Sequence, residues 1–294
     1  MKIAVASGKG GTGKTTIATS LALSLVGLGE IGYWDCDVEA PDGHIFLKPA
    51  FSRKVQAVIN IPQIKEDLCL ACGKCVEVCQ FHALVNIGTK ILILSQLCHG
   101  CGSCTWNCPH QAITEIPRPI GMIESGLTDE GIHFSRGLLT ISEPMSTPVI
   151  RQLKHENKKE GEGESIVILD APPGASCSVV ETLHGADFAI LVTEPTPFGL
   201  HDLRQVAEVT KKMNIPTGVI INRQQTSYPP LDEFCDHFEL PVLLRIPFEF
   251  AIAEGVAQGE TLVKMHPEFI IHFQNIFETI KLAGIDNITG KGSA

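Results

Sequence analysis

Two stretches of this 294-residue sequence combine residue types and spacings that suit chemistry better than packing. The first is Ser7-Gly8-Lys9-Gly10-Gly11-Thr12-Gly13-Lys14-Thr15-Thr16, which follows the apolar run Ile3-Ala4-Val5-Ala6 and fits G-x-x-x-x-G-K-[ST]. Its glycines let backbone N–H groups turn inward around phosphate oxygens, Lys14 can reach the β- and γ-phosphates, and the Thr15 hydroxyl can ligate Mg²⁺. A helix opening at this point adds the positive end of its dipole. The second stretch is a pair of cysteine runs, Cys69-Cys72-Cys75-Cys79 and Cys98-Cys101-Cys104-Cys108, each spaced C-x₂-C-x₂-C-x₃-C.

Three thiolates at that close spacing can hold three irons of one cubane, while the fourth cysteine of each run points to the other cluster. The ligands then group across the repeat: Cys69, Cys72, Cys75 and Cys108 for one cluster, and Cys98, Cys101, Cys104 and Cys79 for the second. A Cys₄ zinc site is the competing reading, but zinc modules use separated C-x₂-C pairs in place of two runs of four. The chain has eleven cysteines and no export signal, so these thiols read as metal ligands in a reducing cytoplasm and not as disulfides. Cys36 and Cys235 read as structural.

Three further stretches carry carboxylates or polar groups at strand ends. Ile31-Gly32-Tyr33-Trp34-Asp35-Cys36-Asp37 is a short strand running into Asp35 and Asp37, either of which could approach Mg²⁺ or a γ-phosphate; Asp37 is the stronger candidate. Ile166-Val167-Ile168-Leu169-Asp170 is a continuous apolar run, as a buried parallel strand requires, ending in an aspartate that can hold a Mg²⁺-bound water. Ala171-Pro172-Pro173-Gly174 follows, and the Gly174 amide could sense a γ-phosphate. Asn222-Arg223 and Ile246-Pro247 end two later strands.

These groups need a scaffold, and the rest of the chain supplies one. Helical spacing of Ile17, Leu21, Leu25 and Leu28 follows the glycine-rich loop. Beyond residue 166 the pattern alternates: strands at 188–193, 217–222 and 242–246, helices at 199–213, 232–238, 249–258 and 267–283. Repeated βα units demand a mainly parallel, doubly wound sheet with helices on both faces. The alternating stretch 54–61 is a strand that Pro62 should end, 120–141 reads as a hairpin, and Pro148 to Leu153 starts a helix. Lys154 to Glu164 reads as a solvated loop and 284–294 as a mobile tail. The organisation expected is an α/β domain of residues 1–61 and 118–294, with a small α+β domain of residues 62–117 inserted into it. A net charge of −10 without a basic stripe argues against nucleic acid, and no apolar run approaches the roughly 20 residues of a membrane span.

With Lys9 ahead of the glycine pair, the loop resembles the deviant Walker A loop of the MinD/ParA/Mrp-type ATPases and the nitrogenase iron protein. The cysteine segment resembles a bacterial two-cluster [4Fe-4S] ferredoxin, departing from it at Gln80, where that family usually has proline. The first resemblance implies a slow, partner-stimulated ATPase that binds ATP/ADP and Mg²⁺ in a homodimer, with Lys9 reaching across to the partner's phosphates as an arginine finger does. It also implies that Asp37 lies in switch I, orienting water or the Mg²⁺ shell, and that Asn222, Arg223 and Pro247 lie near adenine. Cys177, seven residues past Asp170, matches the offset of a cysteine that holds a cluster shared across the iron protein dimer, although a small cysteine at a helix start is also ordinary. Together the resemblances imply ATP hydrolysis coupled to electron transfer to a partner metalloprotein. The alternatives are a cluster-assembly or maturation ATPase and, less favoured, a MinD-like positioning ATPase.

Overall fold

The computed structural model describes residues 1–157 and 165–289, with side chains through Leu282. Most of the 154–164 polar run and of the 284–294 tail lies outside the described side chains. Seven strands form the parallel part of a nine-stranded sheet: β1 (Lys2–Ala6), β2 (Ile31–Asp35), β7 (His133–Leu139), β8 (Ile166–Asp170), β9 (Phe188–Thr193), β10 (Thr217–Gln224) and β11 (Val242–Pro247). Two long strands, β3 (Ala50–Ile64) and β6 (Ile113–Leu127), extend it antiparallel at one edge, giving the order β11-β10-β9-β1-β8-β2-β7-β6-β3.

The central strands are apolar throughout because helices cover both faces. Alternate residues of β1 serve opposite cores. Ile3 and Val5 pack with Ile17 and Leu21 of α1 (Lys14–Ser24) and with Phe273 of α11 (Phe269–Thr289). Ala4 and Ala6 face Val179 of α6 (Cys177–Leu183) and Leu203 of α7 (Pro197–Lys212). The remaining helices on the two faces are α2 (Gly43–Leu47), α5 (Thr147–Glu156), α8 (Pro229–His237), α9 (Phe250–Ala257) and α10 (Leu262–Met265). Among the described residues no helix is long and apolar enough to cross a membrane.

The hairpin expected at 120–141 is β6 and β7, and its role is to join the parallel sheet to a ribbon. Only Gly121–Leu127 of β6 pairs with β7, whereas β3 and β6 stay paired from Ala50↔Leu127 to Ile64↔Ile113. The unpaired outer length of β6 therefore carries the ribbon about 25 Å beyond the sheet at 3.3 Å per residue. Pro62 does not end β3, contrary to expectation: it sits opposite Glu115 inside the ribbon. Because β3 is an edge strand, a residue without an N–H is tolerated there. Residues 62–64 and 113–117 are thus ribbon, and the cysteine segment hangs from its far end, closed by the Lys65 N–H donating to the Ala112 carbonyl at 2.8 Å.

Within that segment the elements are short: α3 (Lys74–Glu77), β4 (Leu84–Asn86), β5 (Ile91–Ile93) and α4 (Ser103–Trp106). The sequence repeat is also a backbone repeat. Ala71 and Gly100, Gly73 and Gly102, and His82 and Gln111 occupy equivalent places in the two runs, and all six have left-handed φ. Gly73 and Gly102 each precede a one-turn helix that carries the third cysteine of its run, so the second and third thiols can turn towards the same point.

Candidate functional site

The glycine-rich loop joins β1 to α1, and its neighbours brace it. The Asn222 side-chain amide at the end of β10 donates to the Thr12 carbonyl at 2.8 Å. A side chain at Gly13 would collide with that amide, and Gly13 has φ +88°, so glycine is required twice over. Asn222, Arg223 and Pro247 line a cleft of about 110 Å³ with Gly13, Thr16 and Phe248, beside the loop.

Lys14 and the strand-end carboxylates form one buried cluster. The Lys14 ammonium lies 2.6 Å from Asp170 Oδ1 and 3.4 Å from Thr15 Oγ1, and the Tyr33 hydroxyl donates to Asp170 Oδ2 at 2.7 Å. Asp35 accepts from the backbone N–H of Asp37 (3.2 Å) and of Gly43 (2.9 Å). Oxygens of Asp35, Asp42 and Asp170 come within 4.8 Å of one another. Asp42 was not singled out from the sequence. It precedes α2 with no motif around it, and only the chain reversal after Asp37 brings it to the cluster.

The electrostatics of the cluster favour a divalent cation. Burial, then the neighbouring Asp170, pushes Asp35 well above the carboxylate range, and the same two causes raise Asp42. Asp37, half-buried, is pushed up to about 6 by burial, against the pull of Lys14. Burial works to lower the Lys14 ammonium, but Asp170, Asp35 and Asp37 override it and raise its pKa. One lysine among four carboxylates leaves surplus negative charge, which a cation held by oxygen ligands would neutralise. The Thr15 hydroxyl and the Asp35, Asp42 and Asp170 carboxylates therefore fit Mg²⁺.

Two other expected residues are engaged differently from their sequence reading. The Lys9 ammonium lies 3.3 Å from Glu194 of its own chain, a carboxylate that Arg223 also holds at 2.8 Å. The Gly174 N–H donates to the Ser7 carbonyl at 2.8 Å, tying the segment after β8 to the first residue of the loop. Cys177 is the exposed first residue of α6.

On the ribbon the eight clustered cysteines divide into two cavities. One is lined by Cys69, Cys72, Cys75 and Cys108, the other by Cys79, Cys98, Cys101 and Cys104. Backbone amides donate to the sulfurs in matching fashion: Ala83 to Cys79 and Ala112 to Cys108 at 3.3 Å, and Gly100 to Cys98 at 3.5 Å. Four thiolates on one zinc at 2.3 Å would stand about 3.8 Å apart. Among the described residues, however, no three cysteine sulfurs lie within 4.8 Å of one another. Four cysteines at each cavity, with amide donors aimed at sulfur in both, are a donor set that fits a polynuclear iron–sulfur cluster.

Residues 3–263 match the family of the CobQ/CobB/MinD/ParA nucleotide binding domain. The chain belongs to this family. It is 31% identical over 285 residues to an uncharacterized protein of Methanocaldococcus jannaschii, covering 96% of each chain. It is also 24% identical over 285 residues to the iron-sulfur cluster carrier protein of Aquifex aeolicus, covering 90% of this chain and 62% of that relative. Among solved structures, the septum site-determining protein MinD of Pyrococcus horikoshii complexed with Mg-ADP aligns with a TM-score of 0.58 at 23% identity over 97% of both chains. That likeness establishes the parallel P-loop fold.

Proposed function

We propose that this family member is an ATP-hydrolysing dimeric switch that carries two resident [4Fe-4S] clusters and couples nucleotide turnover to electron transfer towards a partner metalloprotein. The observation that carries the reading is the pair of four-cysteine cavities mounted on a ribbon continuous with the nucleotide-site sheet. When bound, the clusters supply one-electron redox chemistry. The chain's own work is to hold them in a ferredoxin-like insert and to fix nucleotide at the loop after β1.

At the nucleotide, Lys14 and the loop amides hold the phosphates while Thr15, Asp35, Asp42 and Asp170 hold magnesium. Asp37, beside this group and less buried, orients the attacking water. Lys9 leaves Glu194 to reach the phosphates of the second subunit, so hydrolysis requires the dimer. Release of the Gly174 amide from Ser7 lets the segment after β8 register the γ-phosphate. Cys177, exposed at the start of α6, is a candidate for a contact shared between subunits.

A second reading, assembly of clusters for delivery to other proteins, is favoured by the similarity to proteins named iron-sulfur cluster carriers. Anaerobic preparation followed by iron analysis and redox titration, with and without MgATP, separates the two. The electron-transfer role predicts two four-iron clusters retained through turnover and a potential that shifts with nucleotide. Transfer of iron to an apo-protein, with potentials indifferent to nucleotide, would replace it with the assembly role.

A further inference from the structure

The two cysteine cavities have unequal surroundings. Around the first, Cys75 alone is buried, Cys69 and Cys108 are half-buried, and Cys72 is exposed; around the second, Cys79, Cys98 and Cys104 are buried and Cys101 is exposed. The first cavity touches the ribbon at its far end, at Ile64, Ala112 and Ile113. The second touches it at Asn60, Pro62 and Glu115, closer to the sheet. A side chain at Gly100, in the loop between Cys98 and Cys101, would meet the Asn60 carbonyl at 3.0 Å, so this loop lies tightly on the ribbon.

A fixed cation stands beside the inner cavity. Arg118 of β6 lies opposite Ile59 in the ribbon, and a side chain at Gly100, between Cys98 and Cys101, would meet the Ile59 Cβ at 3.4 Å. The Arg118 guanidinium donates to both oxygens of Glu143 at 2.6 and 3.0 Å, and that carboxylate is almost wholly buried. Its Nε has no hydrogen-bond partner among the described residues. Glu143 lies four residues past the end of β7. There the Leu139 N–H donates to the Val38 carbonyl (2.8 Å), and the Thr140 N–H donates to Ile120 of β6 (2.9 Å). Val38 follows Asp37, and its side chain fills the space above Gly137, where an added Cβ would approach within 2.5 Å. The Asp35–Asp42 loop is thus packed and bonded onto the end of β7, and Glu143 follows in a turn closed by its own N–H on the Thr140 carbonyl at 3.0 Å.

We propose that Arg118, set by Glu143, is a positioning residue through which the Asp35–Asp42 loop adjusts the reduction potential of the cluster held by Cys79, Cys98, Cys101 and Cys104, leaving the outer cluster unchanged. The inference rests on the two-cluster reading above. One-electron reduction adds one negative charge to a cluster and its thiolates, so a nearby guanidinium stabilises the reduced form and a carboxylate beside that guanidinium offsets it. Moving Glu143 relative to Arg118 changes the net field at the inner site. The outer cavity meets β6 at Ile113, five residues along the strand from Arg118, and the cation in its own lining, Lys74, pairs with Glu77 inside the cysteine segment at 3.0 Å.

The test is an anaerobic dithionite titration of the whole chain followed by electron paramagnetic resonance, with MgADP and with a non-hydrolysable MgATP analogue. Cys101→Ser marks the inner cluster's signal. Arg118→Gln should make the inner cluster harder to reduce, Glu143→Gln should make it easier, and Arg118→Lys should stay near wild type. The wild-type nucleotide-dependent shift should vanish in both Gln variants, while the outer potential and nucleotide affinity stay fixed. An inner potential unmoved by Arg118→Gln, equal movement of both clusters, or a nucleotide shift that survives in that variant would overturn the relay alone. Fewer than two clusters, or wild-type potentials indifferent to nucleotide, would overturn the underlying reading with it.

Discussion

The nucleotide face and the cysteine segment both gather side chains suited to chemistry, but they are stabilised in different ways. At the nucleotide face, Lys14 and Tyr33 are bonded to Asp170, Asn222 to Thr12, and Asp35 to the amides of Asp37 and Gly43, beside strands whose apolar residues are fully buried on both sides. From Lys65 to Ala112 the longest helix is one turn and the strands are three residues each. Leu70, Ile87, Leu92, Leu97 and Trp106 are exposed, and much of what is buried is cysteine. A stretch this short buries too little apolar surface to offset its own chain entropy. The first region has its stability built into the chain, and the second has to import it.

Removal of iron should therefore have the largest effect and confine it to one region. After anaerobic chelation, hydrogen exchange of amides in 66–112 should approach unprotected rates, because metal binding free energy there is folding free energy. The amides of β1, β8 and β9 should keep their protection, and MgADP should still bind. A cysteine segment that stays protected without iron would erase the contrast between the two regions.

Lys14→Ala disturbs the self-supporting region instead. It removes one partner of a buried ion pair and leaves Asp170 among like charges, which costs about 3–5 kcal/mol of stability. It also weakens nucleotide binding roughly 10- to 100-fold, the worth of one charge-assisted contact at about 1.5–3 kcal/mol. Denaturant unfolding and nucleotide titration measure the two effects separately. Lys9→Ala should cost less than about 1 kcal/mol, since its pair with Glu194 is partly exposed, yet abolish ATP-driven dimerisation and hydrolysis. Unchanged hydrolysis in that variant would remove the trans role of Lys9.

How much could be read from the sequence follows the same division. The loop at 7–16, the apolar strand before Asp170 and the two cysteine runs are local patterns, and each is one continuous segment in the structure. Asp42 was missed because its approach to Asp35 and Asp170 depends on a reversal of the chain that no spacing encodes. Pro62 was misjudged because proline is judged against a paired interior strand, and only the sheet order reveals that β3 lies at the edge. Arg118 is inconspicuous in sequence for a similar reason: its partner Glu143 lies 25 positions away, across a hairpin. The 120–141 hairpin was legible as a hairpin, but its role as the link between sheet and ribbon was not.

The smallest expected effect concerns the three cysteines outside the runs, and it probes the junction of the two regions. Cys36 is buried in the sheet, and burial pushes its thiol up to about 12; Cys235 is buried as well, and its thiol is pushed up to about 11. Since the thiolate is the reactive form, both should resist iodoacetamide until the whole domain unfolds. Cys177, exposed at the start of α6, should be alkylated first in the nucleotide-free, iron-loaded chain, and Cys72 and Cys101 should follow only after iron is removed. Mass mapping of the alkylated sites reads this order directly. Repeating it with the MgATP analogue makes Cys177 informative about the dimer. Undiminished labelling would leave it a surface residue of each subunit, whereas protection that appears with nucleotide and disappears in Lys9→Ala would put it at the contact between subunits. In that second case the switch segment after Asp170, and not the ribbon alone, would carry a link between nucleotide and thiol chemistry.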